Sequence, residues 1–201
     1  MSVLNIILAI VPGLLISFLI FRFDRHEKEK LLPLIICFIL GVAITFPAMQ
    51  IEAFADRNGI VESPDFWMTV FLSFVVVAMT EELVKFICLI AYPYQNKFFN
   101  EPLDGIIYAV MIGMGFATLE NILYAGRFGL DTMAVRAFTA VPAHAAFGVV
   151  AGYFVGRAKF EKEHRFKLLS FGFLSAVGLH GFGGSRMNDD VGCLDCRLIC
   201  K

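Results

Sequence analysis

Apolar residues fall into long blocks separated by short polar stretches. Residues 3–21 and 31–49 carry no charge, and residues 66–92 form a longer block that includes Glu81, Glu82 and Lys85. Residues 106–125 include Glu120, and residues 134–156 include Arg136 and His144. A sixth block, 168–182, is short and holds His180. About 20 helical residues cross a ~30 Å hydrocarbon layer. In lipid the backbone must satisfy its own hydrogen bonds, so each block is predicted to be helical. The expected fold is all-α: a polytopic transmembrane helical bundle of about six spans over residues 1–182, followed by an atypical C-terminal tail over 183–201.

Composition strengthens this reading. The chain is 58% hydrophobic and only 17% charged, more apolar surface than a soluble domain can keep wet. That excludes a soluble globular domain, a disordered chain and a nucleic-acid binder. The first block lacks a basic leading region and a small-residue cleavage pattern, so it is expected to remain as an anchor. From Gly183 onward the sequence turns to Gly, Ser, Asn, Asp and Cys, and the last helix is expected to stop there. Cys193, Cys196 and Cys200 lie close together, with no His or fourth Cys nearby to complete a metal set. Cys37 and Cys88 read as small hydrophobes inside spans.

Charge sets the expected orientation. Loop 22–30 holds Arg22, Arg25, Lys28 and Lys30, and loop 157–167 holds Arg157, Lys159, Lys162, Arg165 and Lys167. Loop 93–105 contributes Lys97 on the same side, whereas loops 50–65 and 126–133 have only Arg57 and Arg127. The positive-inside rule then places the three basic loops in the cytoplasm and the N-terminus outside.

Polar groups within the spans are the candidates for chemistry. A charged side chain at the centre of a helix costs about 2.5–3.5 kcal/mol on the insertion scale, so three charged carboxylates approach ten. Such groups are expected to face one another around a hydrated interior. Glu81 and Lys85 stand four apart, on one helical face, and read as a buried structural ion pair. Glu82 points about 100° away and is expected to project alone into the cavity. Gly105, Ala109, Gly113 and Ala117 form a four-residue row continued by Asn121, and Ala140, His144, Gly148, Gly152 and Gly156 form another. Small residues at this spacing allow close helix approach and aim Asn121 and His144 at neighbouring helices. At a rise of 1.5 Å per residue, Glu82 and His144 lie at similar depth, whereas Glu120 falls about 7 Å nearer the outer face.

A carboxylate and imidazoles in a partly dehydrated cavity can activate water for amide hydrolysis. His144 or His180 would orient the water, and the Asn121 amide would stabilise the oxyanion. This version needs no cofactor. In a metal-dependent version Glu82, His144 and His180 would hold zinc and leave one position for water. The His-Glu-x-x-His pattern of soluble zinc proteases is missing.

Four segments occur in order: Glu-Glu-Leu-Val-Lys at 81–85, Gly-Phe-Ala-Thr-Leu-Glu-Asn at 115–121, Arg136 with Val-Pro-Ala-His-Ala at 141–145, and Leu-His-Gly at 179–181. Together they resemble the motifs of the PrsW family of intramembrane proteases, which is similar to the wider superfamily of CAAX-processing endoproteases and bacteriocin-immunity proteins. The resemblance implies a glutamic-type or metallo-type peptidase of a bacterial cell (inner) membrane. It also implies a membrane-anchored protein substrate such as a single-span anti-sigma factor, cut on the outer side in a stress-signalling cascade. By position it marks Glu81, Glu82, Glu120, Asn121, His144 and His180 as site residues. Two rival readings remain: a proton-coupled membrane transporter, which also uses intramembrane Glu and His, and a catalytically inactive membrane scaffold, to which the divergent end of the chain points.

Overall fold

The computed structural model describes residues 3–23, 29–60, 65–126 and 130–191, with side chains as far as residue 183. Cys193, Cys196 and Cys200, like Arg25, Lys28 and Arg127, lie outside the described residues. The helices in chain order are α1 (Val3–Phe23), α2 (Leu31–Arg57), α3 (Phe66–Phe71), α4 (Met79–Ala91), α5 (Pro102–Ala125), α6 (Leu130–Phe138), α7 (Ala140–Phe160) and α8 (Arg165–Val191). Among the described residues five stretches are long and apolar enough to cross a membrane: α1, α2, α5, the α6–α7 unit Leu130–Phe160, and Lys162–Gly183, which runs from a short turn at Lys162–His164 into α8. The polytopic helical bundle expected from the apolar blocks is therefore borne out. The remaining block is one rod in three parts, because α3 passes through a π-helical segment, Leu72–Ala78, into α4 without leaving helical backbone angles.

Helix α5 is the axis. Of its most apolar stretch 72% is buried, against 11% for α1, which presents Leu15, Phe18 and Leu19 outward as a lipid-facing helix would. Its start is well defined: Pro102 occupies the first turn, and Asp104 accepts from the backbone N–H groups of Asn100 (2.7 Å) and Glu101 (2.9 Å). The two small-residue rows do meet, and α5 packs most extensively against α7. A Cβ built on Gly152 would lie 2.6 Å from Ile106 Cα, and one on Gly148 would lie 3.1 Å from the Ala109 carbonyl oxygen. A second close approach joins α5 to α2, where Gly115 faces the Phe38 carbonyl and Gly41 faces that of Ile112.

Three boundaries differ from the sequence pattern. The block 134–156 is two helices, broken at Thr139 (φ −116°, ψ −68°). Pro142 explains the break, since its ring would clash with the Phe138 carbonyl four residues earlier and it has no N–H to donate. Helix α2 runs to Arg57, beyond its apolar part. Helix α8 continues past Gly183 to Val191, which corrects the expected stop. Glycine weakens a helix by about 1 kcal/mol per residue but does not forbid it.

The described parts of the three basic loops meet at one end of the bundle. Lys159 donates to the backbone oxygens of Tyr94 and Asn96, Tyr94 donates to the Ala158 carbonyl (3.3 Å), and Tyr108 donates to Glu29.

The glycine contacts predict an asymmetry. Gly152→Ala should lower stability by about 1–3 kcal/mol through overpacking. Gly178→Ala, where an added Cβ meets nothing within 4 Å, should be neutral or mildly stabilising. Thermal unfolding in detergent micelles checks both.

Candidate active site

Every ionisable group singled out within the spans turns inward. Glu81, Glu82, Lys85, Arg136 and His144 are each less than 10% exposed, although most sit on helices whose other faces are open. Helix α4 supplies Glu81, Glu82 and Lys85; α5 supplies Glu120 and Asn121; α6 supplies Arg136; α7 supplies His144; and α8 supplies His180. The π segment ends at Ala78, three residues before Glu81. A π insertion adds one residue to the turn and so re-aims everything after it by about 100°. Gly181 accommodates the segment, because a Cβ there would run into the Phe74 ring.

These groups form one connected chain. Lys85 Nζ lies 3.0 Å from Glu81 Oε2, 2.9 Å from Glu82 Oε1 and 3.0 Å from His144 Nδ1. An ammonium has three protons, so all three are committed. His144 Nδ1 is then an acceptor and its proton sits on Nε2, which donates to Glu120 Oε2 at 3.1 Å. Glu120 Oε1 pairs with Arg136 (2.6 Å), and Arg136 Nε donates to Asn121 Oδ1 (2.8 Å). At the other end His180 Nδ1 donates to Glu82 Oε1 (2.9 Å). Aromatic faces close the cluster: Phe147 stacks on His180 with centroids 4.9 Å apart, Phe116 lies 4.1 Å from Lys85 Nζ, and Tyr124 lies under the Arg136 guanidinium at 3.6 Å.

The expected separation of the paired glutamates is corrected. Their Cα–Cβ bonds diverge by about 100°, but each side chain has enough reach to bend back, and Lys85 holds both. Glu120 does not reach Glu82 directly; His144 and Lys85 link them. Glu82, Lys85 and His144 also border a cavity of about 20 Å³, whose remaining walls are apolar and include Phe86 and Phe173. That volume admits about one water. Asn121 does not line it. Its Oδ1 is taken by Arg136, and its amide nitrogen has no hydrogen-bond partner among the described residues.

One oxygen or nitrogen from each of Glu81, Glu82, His144 and His180 lies within 4.8 Å of the others. Carboxylate oxygens and imidazole nitrogens are the donor types that zinc takes, so the set fits a divalent ion in kind. Arg136 is the functional group that the motif reading left without a role. Its signal was available: an arginine between apolar residues needs a carboxylate, and Glu120 is the acidic residue of the neighbouring span.

Comparison with known proteins gives the chain's relatives. Residues 29–183 match the profile of a family described as PrsW family intramembrane metalloprotease. The chain is 38% identical over 172 residues to Protease PrsW of Geobacillus kaustophilus, covering 86% of this chain and 74% of the relative. It is 35% identical over 181 residues to Protease PrsW of Clostridioides difficile, covering 87% and 75%. Protease PrsW of Bacillus subtilis is 32% identical over 173 residues, covering 86% and 77%. No solved structure matches the chain.

Arg136 should prove a mainstay of the fold. Arg136→Ala strands Glu120 in a largely buried place and should cost about 3–5 kcal/mol, whereas Asn121→Ala, which removes a neutral partner, should cost about 1–2. Comparing the two variants' chemical or thermal unfolding in micelles tests the ranking.

Proposed function

Because the chain belongs to the PrsW family of intramembrane proteases, we propose that it cleaves a membrane-anchored protein by direct attack of a water activated by Glu82. The observation that carries the proposal is the cavity for about one water, bordered by Glu82, Lys85 and His144 inside a lipid-facing bundle. In this reading Glu82 takes a proton from the water as its oxygen attacks the peptide carbonyl. The proton then passes to the departing amide nitrogen, so that the C–N bond breaks and Glu82 returns to its starting state. Lys85 places its positive charge near where the carbonyl oxygen gathers charge, and His180 holds Glu82 in position. Glu120 fixes the ring of His144, Arg136 fixes Glu120, and Asn121 acts on Arg136 as a positioning group.

The printed family description names a metalloprotease. Glu82, His144 and His180, with Glu81 beside them, are the residues that would hold a metal ion. When bound, such an ion would polarise the carbonyl and acidify a bound water. The same residues serve either version, and the metal-free one is our preferred reading.

The substrate and its setting are part of this proposal. Four or five basic residues in each of two loops, whose described parts share one end of the bundle, favour that end as cytoplasmic, with the N-terminus outside a bacterial inner membrane. A single-span anti-sigma factor cut near the outer face, at the start of a stress-signalling cascade, fits that orientation. Kinship with CAAX-processing endoproteases and bacteriocin-immunity proteins belongs to the same reading, on the strength of the four motifs.

Glu82→Gln should lower cleavage of a co-expressed single-span reporter by at least ~100-fold, with both proteins still accumulating in the membrane. Immunoblotting for the reporter fragment measures it. Cleavage at the parent rate would sink the role of Glu82. A parent that cuts no reporter but conducts protons or solute would favour transport, and one that only binds the reporter would favour a scaffold.

A further inference from the structure

Lys85 stands where a cation bound by this cluster would stand. Its Nζ is 2.9–3.0 Å from a carboxylate oxygen of Glu81, a carboxylate oxygen of Glu82 and the Nδ1 of His144. We propose that the Lys85 ammonium is the resident counter-cation of this cluster, and that it and a divalent metal ion occupy the cluster alternately, never together. This exchange of cations does not depend on peptidase activity.

Spacing is the first support. Four ligands placed tetrahedrally around zinc at about 2.1 Å are about 3.4 Å apart, whereas around an ammonium at hydrogen-bond distance they are about 4.8 Å apart. One oxygen each of Glu81 and Glu82 and the His144 Nδ1 stand 2.9–3.0 Å from Nζ, the distance an ammonium takes, and all three would have to draw in to reach a zinc ion. Charge is the second support. A divalent ion drawn to the same two carboxylates would sit against a like-charged group in a poorly screened interior, so one must leave as the other enters. The third is orientation. Glu120 engages His144 Nε2, which turns the Nδ1 lone pair toward the cation position whichever cation fills it.

Two measurements on the purified full chain in detergent micelles test this. In zinc titration, Lys85→Met should bind zinc at least about tenfold more tightly than the parent. Its melting temperature should rise with zinc and fall in chelator, while the parent's changes little. Lys85→Arg, which keeps a cation in place, should bind no more tightly than the parent. Zinc affinity in Lys85→Met equal to or below the parent's overturns the proposal. The second measurement needs no variant that must fold. A lysine-acylating reagent followed by mass spectrometry should modify Lys85 of the parent faster under saturating zinc than in chelator. Labelling that is unchanged by bound zinc overturns the alternation, whatever the reporter assay gives.

Discussion

A single ammonium shared by two successive carboxylates is the constraint around which the bundle is organised. Glu81 and Glu82 sit on a helix embedded in a hydrophobic bundle, where each unpaired charge would cost several kcal/mol. Lys85, one turn along the same helix, reaches both. Its third proton recruits His144 from α7, and the other nitrogen of that ring recruits Glu120 from α5. Glu120 in turn needs Arg136 from α6. Each compensation exposes a new group that must be compensated, until, with His180 of α8 on Glu82, five helices are tied into one electrostatic unit.

Such a unit requires helices closer together than ordinary side chains permit. The glycines of α5 and α7 supply that closeness, because backbone meets backbone where a Cβ would not fit. The break at Thr139 adds what a straight helix could not. It lets Arg136 and His144, on adjoining helices, take opposite sides of the same Glu120 carboxylate. Packing and chemistry therefore draw on one set of features, and a change to either disturbs the other.

Much of this was legible beforehand. The apolar blocks located the helices, the small-residue rows located the α5–α7 contact, and the cost of intramembrane charge pointed to Glu82, His144 and His180. What escaped notice depended on side-chain reach and local backbone. A divergence of 100° between Glu81 and Glu82 is a property of Cβ vectors, and two flexible torsions beyond Cβ undo it. Asn121 lies in line with its row, but its carbonyl is taken by Arg136, a partner from another helix that periodicity within α5 does not reveal. Pro142 was visible as a helix breaker, although the surrounding hydropathy masked it. The run of apolar residues around Val75–Val77 carries no clear mark of π geometry, and the glycines after His180 suggested an ending where the helix continues.

The π segment imposes a rule of whole numbers on this protein. An ordinary α-turn over residues 72–78 would have one residue fewer, and there is no intermediate length. Winding the same seven residues as an ordinary α-helix would swing both glutamates and their lysine by about 100° away from the imidazoles together, as a key turned in its lock. The arrangement can thus be inherited or abandoned in one step, but it cannot be worn down gradually from that direction.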